Sequence, residues 1–162
     1  MIKKQILDAI SMNSRRSTED LAAMLNTGTD TIEHEIKEME DNKVICGYPT
    51  LINWDRTDCE KVTALIEVKV TPQRDMGFNK VAERIYKFEE VESVYLMSGS
   101  FDLTVIIEGK SMKEVSRFVT EKLSTLEYIT STATYFVLKI YMEDGLIITD
   151  EKHDTERMLN TP

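Results

Sequence analysis

Cysteine is scarce in this chain. Its two copies, Cys46 and Cys59, stand alone with no C-x-x-C pair. That leaves no framework for a disulfide-stapled fold or a structural zinc site, and both read as small buried hydrophobes in a reducing compartment. No run is long and apolar enough to span a bilayer, so no membrane partner is expected. The N-terminal MIKKQILDAI is amphipathic and lacks the long apolar core and small-residue cleavage site of a secretory signal, which points to the cytoplasm. Phosphate-cradling loops of the G-x-x-x-x-G-K-[ST] or G-x-G-x-x-G kind are absent, His34 and His153 lie far apart outside any catalytic constellation, and no metal-ligand cluster occurs. No enzyme, cofactor or metal is expected. Positive charge is also short: the net charge is −9, and neither half carries the basic excess of a non-specific nucleic-acid footprint.

What is present is the composition of a folded soluble protein, 41% hydrophobic and 30% charged. With 162 residues there is room for one ordinary domain or two small ones.

In the N-terminal third, Ile2, Ile6, Leu7 and Ile10 recur at helical spacing and predict a helix over about Lys3–Ser11. Ser17-Thr18-Glu19-Asp20 opens a second, with Ser17 as N-cap. Asp30-Thr31-Ile32-Glu33 reads as another capping box, starting a third helix to about Asn42. Ala22 and Ala23 let these helices cross closely. Two short helices joined by a tight turn with Gly28 are a helix-turn-helix. Val44–Trp54 then reads as two β segments around Gly47-Tyr48-Pro49, a wing. Such a unit lays its third helix in the major groove. That helix is acidic, with Asp30, Glu33, Glu35, Glu38, Glu40 and Asp41 against Lys37 and His34. Asp30 and Glu33 suit the helix start, and Glu33 can pair with Lys37. Glu35, Glu38, Glu40 and Asp41 have no such account. Arg15, Arg16 and Lys43, with Thr29 and Thr31, are candidates for phosphate contacts.

Residues 55–61 read as a polar hinge. Val62–Val70 alternates as a half-buried strand, and Thr71–Asp75 ends it. Phe78–Phe88 is a helix by its apolar spacing. Val94–Met97 and Leu103–Ile107 are short strands split by Ser98-Gly99-Ser100-Phe101-Asp102, where Gly99 can take φ > 0 and Asp102 can bond nearby backbone. A polar loop with one fixed carboxylate between buried strands is a candidate small-ligand site. Ser111-Met112-Lys113-Glu114 caps a helix burying Val115, Phe118, Val119 and Leu123, and Ile129–Met142 is a last strand. The order β-α-β-β-α-β is the ferredoxin-like split motif, so the fold class is α+β. Both helices cover one face of the sheet. The other, carrying Leu65, Tyr95, Tyr135, Val137 and Tyr141, is too apolar to stay wet and predicts at least a sheet-to-sheet dimer. Residues 146–162 read as a short strand, Leu146–Thr149, and a polar tail.

The helix-turn-helix pattern L-A-x-x-L-N-x-x-x-x-T-I-x-x-x-I-x-x-M at Leu21–Met39, followed by this α/β order, resembles the Lrp/AsnC family of feast/famine regulators over about residues 3–145. The most specific element is Val91–Gly109, whose SGSFD is similar to the family's G-x-x-D loop. The resemblance implies a winged helix-turn-helix domain at 1–54 and a ligand-binding and dimerisation (RAM-type) domain at 62–145. It also implies dimers, possibly octamers, and an amino-acid effector bound between subunits beside Ser98, Gly99, Ser100 and Asp102. Thr132 and Thr134 match positions that often line the pocket. The expected function is an amino-acid-responsive, DNA-binding transcriptional regulator. The acidic third helix, with Glu35 where members often carry Arg, leaves open a sensing oligomer that has lost DNA and acts through proteins.

Overall fold

The computed structural model describes residues 1–71 and 77–149. The expected turn beyond Thr71, His153 and the tail from residue 150 lie outside the described residues. The chain divides into two compact units, Met1–Thr50 and Leu51 onward.

The first unit has three helices: α1 (Ile2–Met12), α2 (Thr18–Leu25) and α3 (Thr29–Asp41). Each brings one stripe to a shared core of Ile6, Leu21, Ala22, Ile32, Met39 and Ile45. Ala22 is buried there as the close crossing requires, whereas Ala23 is exposed. Ser17 caps α2 by accepting from the Asp20 N–H at 3.1 Å. The capping box expected at Asp30 is not formed. Gly28, in extended backbone, is the N-cap of α3, and its carbonyl already accepts the Ile32 N–H, so Asp30 falls inside the first turn. There its charge still favours the positive helix end.

The wing has no ladder: residues 46–53 form no strand. Lys43 leaves the helix in the left-handed region (φ 58°), and Ile45 folds back into the core with its N–H on the Met39 carbonyl. Pro49 offers no donor. The Tyr48 hydroxyl goes to Glu40 at 2.8 Å instead of leaving Tyr48 to a strand partner. Cys46 and Cys59 are both exposed, contrary to the buried positions expected of them, because each falls in a segment without regular structure.

The second unit opens with a 3-10 turn, Trp54–Arg56. Its antiparallel sheet contains β1 (Val62–Val70), β2 (Val91–Leu96), β3 (Leu103–Gly109) and β4 (Ile129–Phe136), in the order β2-β3-β1-β4. Across it pack α4 (Phe78–Ile85) and α5 (Met112–Phe118), the latter extended by a π turn, Val119–Leu123. Period two in β1 sends Ala64, Ile66, Val68 and Val70 into the core, with Val81, Ile85, Val105, Phe118 and Leu123. Ser111 caps α5, accepting from the Glu114 N–H at 3.2 Å, while the Glu114 carboxylate takes the Lys110 N–H.

Two elements are shorter than expected. α4 stops at Ile85, where a tight turn (Phe88 N–H to the Ile85 carbonyl) still leaves Phe88 against the core. β4 ends at Phe136 because β1 begins at Val62: after Val137 N–H reaches the Thr63 carbonyl, no partner strand remains. The chain then forms a ribbon of β5 (Met142–Glu143) and β6 (Leu146–Ile147). Its turn residues, Asp144 and Gly145, both have positive φ (47° and 77°), the requirement of a type I′ turn. Asn53 Nδ2 donates to the Ile148 carbonyl at 3.0 Å, tying this ribbon to the unit's first residues.

Candidate functional site

Residues 97–102 join β2 to β3, closed by the Met97 N–H on the Asp102 carbonyl at 2.8 Å. Ser98, Gly99 and Ser100 are exposed, and a methyl group added at Gly99 would meet nothing within 4 Å. Gly99 does not use the left-handed freedom expected of it; among the described glycines, Gly145 has positive φ.

Asp102 is held from three sides. Its N–H donates to the Val68 carbonyl at 3.0 Å, its carbonyl accepts from Met97, and its carboxylate Oδ2 accepts the Val70 N–H at 2.8 Å. This stitching sits beside a break in the β1–β4 ladder, where the register shifts between Lys69 and Val70. The side chain therefore caps the end of β1 and its carboxylate is fixed in place.

Thr132 and Thr134 alternate with exposed Ala133 and Tyr135, so they face the helix-covered side. Thr132 pairs with Val68 across β1, and its hydroxyl lies 3.5 Å from that of Ser124. Asp102 and Thr132 thus belong to the same end of the sheet, with β1 between them. Two strand spacings separate β3 from β4, about 10 Å.

In the first unit, the outer side of α3 displays Thr31, His34 and Lys37, all exposed. Thr29 is half-buried at the helix start, and Arg15 and Lys43 are exposed. Arg16 turns inward to the Met24 sulfur. The acids without a sequence-level account all have partners. The Lys3 ammonium lies 2.6 Å from Glu38 and 3.6 Å from Glu35. Glu40 accepts from Tyr48, and Asp41 pairs with Lys37 at 3.4 Å, the place expected for Glu33. Burial, and then the Glu40 carboxylate, pushes the Tyr48 phenol up to about 12. Lys3 is the residue that sequence reasoning missed, since its role depends on how α1 crosses α3. Among the described residues there is no cluster fit for a metal ion and no helix long and apolar enough to cross a membrane.

The Lrp/AsnC ligand-binding domain model matches residues 63–147, over half of the chain. The chain belongs to the Lrp/AsnC family. It is 47% identical to an uncharacterized HTH-type transcriptional regulator, YugG, of Bacillus subtilis, over 98% of this chain and 95% of that one. The fold matches E. coli AsnC (TM-score 0.67, 20% identity, 88% of this chain and 93% of that one). It also matches a Neisseria meningitidis transcriptional regulator solved as its L-methionine complex (TM-score 0.70, 21% identity, covering 88% and 91%). This family member is a DNA-binding transcriptional regulator of the helix-turn-helix type, carrying the family's ligand-binding domain. The relatives are named as regulators, not enzymes.

Proposed function

We propose that this regulator is cytoplasmic, responds to an amino acid sensed at the 97–102 loop, and assembles by closing its open sheet face on a second copy, with octamers as a further level. The observation that carries the effector reading is Asp102. Its Oδ2 accepts the Val70 N–H, which holds the carboxylate in the loop that carries exposed Ser98, Gly99 and Ser100, and in this reading the other oxygen takes the ligand ammonium. A carboxylate accepts an ammonium strongly, and loop N–H groups suit a ligand carboxylate. The L-methionine of the Neisseria relative is a ligand of that chemistry. The family resemblance adds Thr132 and Thr134 to this reading, although both face the helix-covered side of β4, across β1 from the loop.

On DNA, in this reading, His34 reads bases while Arg15, Thr29, Thr31, Lys37 and Lys43 meet phosphates, and Arg16 joins them on leaving the Met24 sulfur. The alternative of a sensor without DNA rests on the acidic third helix and the net charge of −9; Lys3, Tyr48 and Lys37 pair with Glu35, Glu38, Glu40 and Asp41 of that helix. The domains in this reading run 1–54, 55–61 and 62–145.

The test is a thermal-shift screen of the twenty amino acids on wild type and Asp102→Asn. Asn keeps an acceptor for the Val70 N–H but offers an amide in place of the charge. A stabilising amino acid whose effect is lost in that variant is expected; equal shifts in both proteins would refute the loop as the site.

A further inference from the structure

The Arg16 guanidinium rests on a poor acceptor. The turn after α1, closed by the Arg16 N–H on the Asn13 carbonyl at 3.3 Å, sets the side chain against α2. There Nη1 donates to the Met24 sulfur, and the buried Nε has no hydrogen-bond partner. A thioether accepts weakly, whereas a guanidinium is always charged and has five N–H donors to place. Met24 is 55% exposed near the end of α2, a helix that reaches the core through Leu21 and Ala22. It can therefore meet a dissolved oxidant and gain an oxygen without opening the core. Met12, Met97, Met112 and Met142 are exposed as well, so exposure does not single out Met24. The guanidinium does: among the described residues, it is the Met24 sulfur that takes a hydrogen bond from a cation.

Resting on the reading above that Arg16 meets a phosphate, we propose that Met24 is a modification site for peroxides, and that its sulfoxide holds Arg16 back from DNA. A sulfur lone pair attacks one oxygen of hydrogen peroxide. The S–O bond forms as the O–O bond breaks, and the departing hydroxide takes the proton of the transferred oxygen and leaves as water. Sulfur loses two electrons and the peroxide gains them. The new oxygen carries negative charge and accepts from Nη1, and from the Nε that lacked a partner, far better than a thioether does. A phosphate must then displace that oxygen to win Arg16. Binding weakens alike on every sequence, because a phosphate contact carries no base information. Methionine sulfoxide reductases reverse the change.

The experiment treats the full chain with hydrogen peroxide in a Cys46→Ser, Cys59→Ser background, so that no thiol responds, with circular dichroism confirming each fold. Peptide mass mapping follows each methionine, and anisotropy titrations at three salt concentrations follow a labelled random duplex. Expected in the oxidised protein are a Met24 sulfoxide, weaker binding, and a slope of log K against log salt lower by ~0.9, as in untreated Arg16→Ala. Reductase treatment should restore both. Met24→Gln, whose amide oxygen stands in for the sulfoxide, should bind weakly without peroxide. Met24→Leu should bind at least as tightly as the parent and keep its slope in peroxide. A peroxide-treated Met24→Leu that loses DNA as the parent does would overturn the proposal. So would an oxidised Met24 with the slope intact, or a Met24 still reduced once exposed Met12 is converted. Arg16→Ala with the parent's slope would instead remove the phosphate reading of Arg16, and the proposal with it.

Discussion

The Lys3 ammonium sits 2.6 Å from the Glu38 carboxylate and within 4 Å of Glu35, drawing two acids of the DNA-reading helix toward α1. This pairing holds Glu38 below the usual carboxylate range and Lys3 above the usual ammonium range, the hydrogen bond between them being the main cause in each. The depressed Glu38 contributes stability above its ordinary value of 4.5 and loses it as pH falls through its folded value. The raised Lys3 contributes fully below 10.5 and loses it as pH rises beyond. The urea midpoint of Lys3→Met should therefore lie below wild type by a constant margin from about pH 5 to 10, and the margin should narrow in acid. An equal margin at pH 3 would show that the pairing with Glu35 and Glu38 is not what sets it.

On DNA the same variant leaves Glu35 and Glu38 unanswered beside the phosphates. Weaker operator binding at low salt is expected in a gel shift, with Lys3→Glu weaker still. Undiminished binding in both would place these acids away from the duplex.

Lys37 and His34 divide by role. If Lys37 neutralises a phosphate, Lys37→Ala lowers the slope of log K against log salt by ~0.9 and weakens all sequences alike. If His34 reads a base edge, His34→Ala loses about 1–3 kcal/mol on the operator and little on random DNA. Titrations at three salt concentrations, on operator and on random duplex, separate the two.

Period two made β1 legible in the sequence, and Ser17 and Ser111 announced their helices because capping is decided within four residues. The SGSFD loop was legible as a turn with a fixed carboxylate. The atom that fixes it, the Val70 N–H, was not, being 32 residues away. Nor was the missing wing ladder, since Gly47, Tyr48 and Pro49 look like a turn whether or not strands flank them. Lys3 stayed hidden for a related reason: i,i+4 reasoning pairs charges within a helix, and these meet between helices.

Asp102→Ala should lose both duties at once: effector response, and the cap on β1, for about 1–2 kcal/mol in urea unfolding without ligand. Asp102→Asn should keep most of that stability. If the two variants unfold alike, the Val70 bond contributes little.

Ser111→Ala removes the acceptor for the Glu114 N–H, at about 1 kcal/mol in the same assay. A change under a few tenths would mean that the Glu114 side chain, which already holds Lys110, keeps the helix start closed alone.

Four strand residues and an Asp-Gly corner do not hold together unaided in water. The bond from Asn53 to Ile148 makes the β5–β6 ribbon depend on amino acids that precede the first sheet strand. Anyone dissecting this regulator should cut near Thr50. A fragment begun at Val62 would discard the clasp and release a sticky flap of Met142, Leu146 and Ile147.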